Sequence, residues 1–210
     1  MLFSRPVCGT KEDQEAINNI RQLLEYERFS RDNMLWDEMR KCYAKDSCIS
    51  VSWFQGTGED FVSASECMNA GSRKYYAPHK IHNTLIWVNG DRAVGVMNAT
   101  IQIRREIAEV EYLVDSDMKL VTRVIREDGQ WYILSFDCIY DQDEMRPVMP
   151  SDALTVTKDD LAQYRASYAC LSYLTDRTGM QLNQEMLGSD RPEQIEALYR
   201  DLDQWLSSEA

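Results

Sequence analysis

Two tight-turn dipeptides constrain this chain more than any other feature. Asn89-Gly90 and Asp128-Gly129 lie between runs of extended-type sequence at Lys80 to Val88, Arg92 to Arg105, Glu111 to Arg126 and Trp131 to Tyr140. A two-residue Asn-Gly or Asp-Gly loop needs positive φ, and its twist matches antiparallel partners, so the neighbouring runs must pair as hairpins. Long strands twist and bend, and one face of the resulting curved meander has to be covered.

The covering elements precede the sheet. Thr10-Lys11-Glu12-Asp13 has the form of a capping box, and Ile17, Ile20, Leu23 and Leu24 recur at helical spacing, which predicts a helix to about Phe29. Asp32 and Asn33 are suited to cap a second short helix with Trp36, Met39 and Tyr43 on one side. Ser47 to Trp53 alternates as a strand does, Gly56-Thr57-Gly58 breaks it, and Glu59 to Met68 returns to helical pattern.

Pro147, Pro150 and Ser151-Asp152 mark a boundary, after which the pattern is helical again. Thr157-Lys158-Asp159-Asp160 is a second capping-box-like start. Pro192 falls in the first turn of a last helix carrying Ile195, Leu198, Leu202 and Trp205. The expected class is therefore α+β: a cone-shaped curved antiparallel sheet covered by N-terminal helices, spanning residues 10–145. A C-terminal helical extension, 151–210, docks on that domain or on a neighbouring subunit. Helices over one side of a bent sheet enclose a cavity, a natural place for a small molecule.

Composition narrows the partners. The 210 residues hold 35 acidic and 23 basic side chains, a formal charge of -12, so the surface repels phosphate backbones and anionic membranes. No nucleic acid and no membrane partner is expected. No stretch approaches the ~18 apolar residues of a membrane span, and the apolar run within Met1 to Pro6 is too short for a secretion signal, so the expected location is the cytoplasm. Cys8, Cys42, Cys48, Cys67, Cys138 and Cys170 show no CxxC spacing and read as buried free thiols in a reducing compartment. P-loop, dinucleotide and Gly-x-Ser-x-Gly patterns are absent, and neither a metal nor an organic cofactor is expected.

Only two histidines, His79 and His82, are available for acid–base work near neutral pH. On one regular strand they face opposite ways. His79 shares its face with Ile81, Asn83, Leu85 and Trp87, which makes it the better pocket residue; a hydrogen-bonded core or rim histidine is the plainer alternative. Asp32 in turn has the alternative of a simple N-cap.

Four segments in order resemble the SnoaL-like family of the nuclear transport factor 2-like superfamily. Arg31-Asp32-Asn33-Met34-Leu35-Trp36-Asp37 is similar to the family stretch where an Asp precedes an aromatic by four. Ala77-Pro78-His79-Lys80-Ile81-His82-Asn83, followed by Val88-Asn89-Gly90-Asp91-Arg92-Ala93, resembles the His-bearing strand and its hairpin. Glu127-Asp128-Gly129-Gln130-Trp131 resembles the closing turn, and Leu187 to Glu193 an extension of one branch. In dehydratases of that superfamily, such as scytalone dehydratase and bile acid 7α-dehydratase, a His–Asp pair removes a proton so that a leaving group departs. By position the pair here is His79 and Asp32.

The resemblance implies a lyase or isomerase, dehydratase-like or cyclase-like, acting on a small apolar molecule, cyclic ones included. It departs from scytalone dehydratase in lacking a second histidine on the next strand, where Asn98 is the most polar candidate. Lys119 falls near a position where that enzyme has a pocket Asn, with an exposed rim as its alternative. Tyr26, Tyr43 and Trp53 are candidate lining residues or plain core, and Asp137 with Asp141 are candidates for the pocket mouth. The competing readings are a ligand-binding or assembly module without turnover, and a structural subunit of an oxygenase. An exposed β-branched sheet face would favour a homodimer or homotrimer.

Overall fold

The computed structural model describes residues 4, 9–69, 77–152 and 155–208. Cys8 and most of Met1 to Pro6 lie outside the described residues. Helix α1 (Lys11–Asp32) starts with the capping box: Thr10 Oγ1 accepts from the Asp13 N–H at 3.0 Å, and the Thr10 N–H donates to Asp13 Oδ2 at 3.1 Å. It runs one turn further than the apolar spacing suggests.

The end of α1 corrects the assignment of Asp32 and Asn33 as caps of the next helix. Asp32 is the last residue of α1 and Asn33 closes it. The Met34 N–H donates to the Arg31 carbonyl at 3.2 Å and the Leu35 N–H to the Ser30 carbonyl at 2.8 Å. Met34 sits at φ 60°, so this is a Schellman ending with methionine in the left-handed position that glycine prefers. The motif fixes the last turn and, with it, the direction of the Asp32 side chain. A five-residue α2 (Trp36–Arg40) comes next, and Tyr43, expected on that helix, instead opens β1 (Tyr43–Val51).

Strand β2 (Phe54–Gly56) folds back on β1, and α3 (Gly58–Asn69) leads to the meander β3 (His79–Asn89), β4 (Arg92–Ile107), β5 (Val110–Glu127) and β6 (Gln130–Pro147). Both expected hairpins form, the second on Asp128-Gly129 and the first one residue later than expected: Asn89 ends β3 opposite Arg92, so its loop is Gly90-Asp91. Asp128, Gly90 and Gly129 have positive φ, as two-residue loops require. β6 runs past Tyr140, the expected end. The order across the sheet is β2-β1-β6-β5-β4-β3, with β1 parallel to β6. The sheet is curved and unclosed.

The C-terminal elements pack on both of its faces. A single 3-10 turn at Ala166–Tyr168 precedes α5 (Ala169–Asp176) after the short α4 (Lys158–Leu161), and Tyr168, Leu171 and Leu174 join the main core with α1, α3 and the inner sheet face. Strand β7 (Leu187–Gly188) adds to β6 beside the end of β1. Helix α6 (Pro192–Ser207) lies on the outer face, where Leu202, Leu206 and Trp205 meet Trp87, Val94, Val96, Val121 and Ile139. Its last carbonyls are satisfied by Arg92, which donates to Trp205 O at 3.0 Å, and by Asn89, which donates to Leu206 O at 2.8 Å.

The β-branched outer face on which an oligomer was expected is thus occupied, over this apolar part, by the chain's own last helix. The premise for a homodimer or homotrimer does not hold there. Leu202 is fully buried, and Leu202→Ala is expected to cost about 2–5 kcal/mol through transfer and cavity terms, read as a lowered urea midpoint. A loss near zero would mean that α6 is not docked in solution.

Among the described cysteines Cys42, Cys138 and Cys170 are buried thiols, but Cys48 and Cys67 are exposed, against the expectation for all six. No described helix is long and apolar enough to cross a membrane.

Candidate active site

The end of α1 and the start of β3 meet at one point. His79 is the first residue of β3, and both Asp32 oxygens are turned to it. Asp32 Oδ2 accepts from the His79 backbone N–H at 2.6 Å, and Oδ1 lies 2.9 Å from His79 Nδ1. The two side chains are 13% and 5% exposed. A carboxylate is acceptor-only, so Nδ1 carries the proton and Nε2 holds a free lone pair. Burial pulls the His79 pKa below its ordinary value, outweighing the upward pull of the Asp32 hydrogen bond and charge. Burial alone would push Asp32 up, yet the bonds and charge of His79, with Arg31, hold it below the usual carboxylate range.

The imidazole lines a cavity of about 80 Å³. Its walls come from α1, α3, the inner sheet face and the C-terminal extension. Trp53, Phe61, Ile101, Met118, Leu120 and Phe136 are among its apolar lining. Leu171, Thr175, Met180 and Leu182 close it from the extension side. The Tyr140 hydroxyl donates to Ser52 Oγ at 2.7 Å, its ring packs on Tyr168 at 4.6 Å, and the Asn183 N–H donates to Ser52 O at 2.7 Å. These contacts pin the extension to the pocket wall.

The other expected site residues divide sharply. Trp53 lines the cavity. Tyr43 is buried core; its hydroxyl donates to Glu27 Oε1 at 2.5 Å. Tyr26 lies at the α1–α2 contact, donating to Glu38 at 3.3 Å, and is not in the cavity wall. Asn98, Lys119 and Asp137 are corrections: all three point to the outer face. Asn98 donates to Asn83 at 2.9 Å, Lys119 pairs with Asp141, and Asp137 is half-buried beside Arg123, with its partial burial raising its pKa. Asp141 is thereby engaged on the outer face too.

A register shift explains part of this. Between Ile81 and Asn83 the β3–β4 ladder skips His82, a β-bulge that reverses the faces of everything after it. His79 and Ile81 therefore point inward, while Asn83, Leu85 and Trp87, expected beside them, point outward. His82 is bonded to Thr100 Oγ1 at 2.8 Å on the outer face.

Sequence reasoning missed Glu27, Arg28 and Arg31. Arg28 and Arg31 line the cavity, as does Arg105. Arg28 lays Nε and Nη2 on the Glu27 carboxylate and packs over the Phe136 ring at 4.9 Å. Glu27 is 1% exposed and Arg28 4%. Burial pulls the Arg28 pKa down, but the charge and hydrogen bonds of Glu27 more than reverse this and raise it. Arg31, beside Trp53, is lowered by burial and by Arg28. Among the described residues no three His, Cys, Asp or Glu side chains converge as a metal site.

The family model for the SnoaL-like domain matches residues 12–137, more than half of the chain. This chain belongs to the SnoaL-like family. Pea pathogenicity protein 2 of Fusarium vanettenii is 27% identical over 201 residues, covering 90% of this SnoaL-like chain and 85% of that protein. A hexachlorocyclohexane dehydrochlorinase of the LinA type superposes with a TM-score of 0.52 at 11% identity, over 69% of this chain and 96% of its own. A scytalone dehydratase candidate from Novosphingobium aromaticivorans superposes with a TM-score of 0.50 at 16% identity, over 70% and 97%. These structures share the nuclear transport factor 2-like fold. The SnoaL-like match stops before the extension that closes the cavity wall.

Proposed function

We propose that this protein is a cofactor-independent lyase or isomerase in which His79 removes a proton from carbon. The observation that carries the reading is the 2.9 Å contact between His79 Nδ1 and Asp32 at the edge of a largely apolar cavity. The substrate C–H proton passes to Nε2. The electron pair left behind either expels a group from the neighbouring carbon or moves along the molecule to be protonated elsewhere. Asp32 holds the tautomer and stabilises the imidazolium while it lasts. The two solved neighbours named for dehydration and dehydrochlorination are both named for eliminations, which agrees with this class.

A generic carbon acid tests the base without knowledge of the natural substrate. 5-Nitrobenzisoxazole loses its ring C–H proton as its N–O bond opens to a coloured phenolate, and it is small and apolar. The wild-type protein is expected to outpace buffer, and His79→Gln to fall by about 10²-fold or more. Because the base must be neutral and its pKa is lowered from 6.5, kcat/KM should rise with pH along an acid limb centred below 6.5 and then level off. A wild-type rate equal to buffer, or an unchanged rate in His79→Gln, rejects His79 as the base.

A further inference from the structure

The cavity carries a charge pattern opposite to that of the chain. Acidic residues outnumber basic ones in the sequence, 35 to 23, yet among the described residues the lining holds Arg28, Arg31 and Arg105 and no Asp or Glu. Asp32 stands behind His79 with both oxygens engaged by it. Glu27 stands behind Arg28 and takes its Nε and Nη2.

Arg31 is left in an unusual position. Its side chain is 10% exposed, and its sole ion pair among the described residues is a 3.7 Å approach to Asp32 Oδ1, outside hydrogen-bond reach. Among the described residues none accepts a hydrogen bond from its guanidinium, and none accepts one from Arg28 Nη1. A guanidinium has five N–H donors in a fixed fork; the unbonded ones of Arg31 and Arg28 are not among the buried side-chain atoms without a partner, so they open to the cavity, where a bound molecule can meet them. Arg31 lies 6.0 Å over the Trp53 ring and helps to lower the Asp32 pKa, and neither contact takes up its N–H donors. The acceptor these donors lack is one that a bound molecule supplies.

We propose that the cavity binds an organic anion, with Arg31 and the free edge of Arg28 gripping its oxygen atoms and the apolar walls enclosing its hydrocarbon body. A carboxylate or the ionised oxygen of an acidic enol or phenol fits, because planar oxyanions match the guanidinium fork. The same donors stabilise the negative charge that develops on oxygen when a neighbouring C–H is deprotonated. This names the substrate class of the same site and rests on the proton-abstraction reading only for the steps after binding.

Binding is tested apart from turnover, with two probes of nearly equal shape, cyclohexanecarboxylate and cyclohexanecarboxamide, titrated by calorimetry. The wild-type protein is expected to prefer the carboxylate by about tenfold or more, as for hydrogen bonds to a charged group. Arg31→Gln should bring the two within about threefold of each other, while Arg31→Lys, which keeps the charge but not the fork, retains part of the preference. His79→Gln should leave the preference in place. Equal affinity for both probes, no binding of either by the wild-type protein, or a full preference in Arg31→Gln overturns the proposal. If Arg31→Gln does not fold, an undiminished preference in Arg31→Lys does the same against the fork. Loss of the preference in His79→Gln assigns the anion to the imidazole instead of the arginines and also overturns it. Para-nitrophenol, coloured when ionised, distinguishes the phenolic from the carboxylic source: a lowered pKa on binding, abolished by Arg31→Gln, marks the phenol class as accepted too. The elimination assay with His79→Gln can fail while this preference stands, so the two readings are separable.

Discussion

Glu27→Ala is expected to lower folding stability by about 3–5 kcal/mol, the largest single effect predicted for this protein. The cost is not the loss of the pair's attraction as such. It is the isolation of the Arg28 guanidinium, 4% exposed, among Phe61, Phe136 and the base of the cavity. The Tyr43 hydroxyl loses its acceptor in the same step. Removing both charges with Glu27→Leu and Arg28→Met keeps the volume and eliminates the stranded cation, so the double variant should be more stable than Glu27→Ala alone. Urea unfolding of the three proteins measures this. If Glu27→Ala cost no more than a surface substitution, the buried pair would not exist in solution.

Asp32→Asn is expected to cut proton abstraction by about 10²- to 10⁴-fold while leaving the protein folded. The asparagine carbonyl can still accept from the His79 backbone N–H, so the tie between the end of α1 and the start of β3 persists. The negative charge at Nδ1 is lost. Without it the imidazolium formed during the reaction is unsupported, and the ring can adopt the tautomer that puts its proton on Nε2. Because Asp32 raises the His79 pKa against the pull of burial, its removal should move the acid limb of kcat/KM to still lower pH. A purely structural Asp32 would lower the folded fraction without moving that limb. The rate and the profile, both followed with 5-nitrobenzisoxazole, therefore decide its role.

The architecture was legible because its signals are local. The turn signals at Asn89-Gly90 and Asp128-Gly129 mark hairpins, the first with its loop at Gly90-Asp91, and the capping boxes at Thr10 and Thr157 mark helix starts. Asp32 was reached through the family resemblance, and local logic misplaced it as a cap, because no sequence rule foresees a methionine at Met34 taking a left-handed conformation. The faces of β3 were misread for a related reason. Strict alternation holds only on a regular ladder, and the bulge at His82 in the pairing with β4 breaks it.

The buried charges had a visible signal that went unused. The apolar stripe Ile20, Leu24 continues by fours to Arg28 and Asp32, and by threes and fours to Glu27 and Arg31. Four charges in the path of a core-facing stripe mark the point where α1 leaves the packed interior and begins to line a cavity. Whether such charges are paired, as Glu27 with Arg28, or left with open donors, as in Arg31, depends on side-chain geometry that the pattern does not carry.

The wall formed by Leu171, Thr175, Met180 and Leu182 belongs to a stretch beyond the family match, while His79 and Asp32 lie within it. One side of the mould is thus carried by a different part of the polypeptide from His79 and Asp32, the rest by the same part. Substitutions along that side can redraw which molecules fit, one side chain at a time, and never disturb the imidazole. Related chains that keep His79 and Asp32 but differ after the last long strand should therefore diverge first in the outline of what they accept.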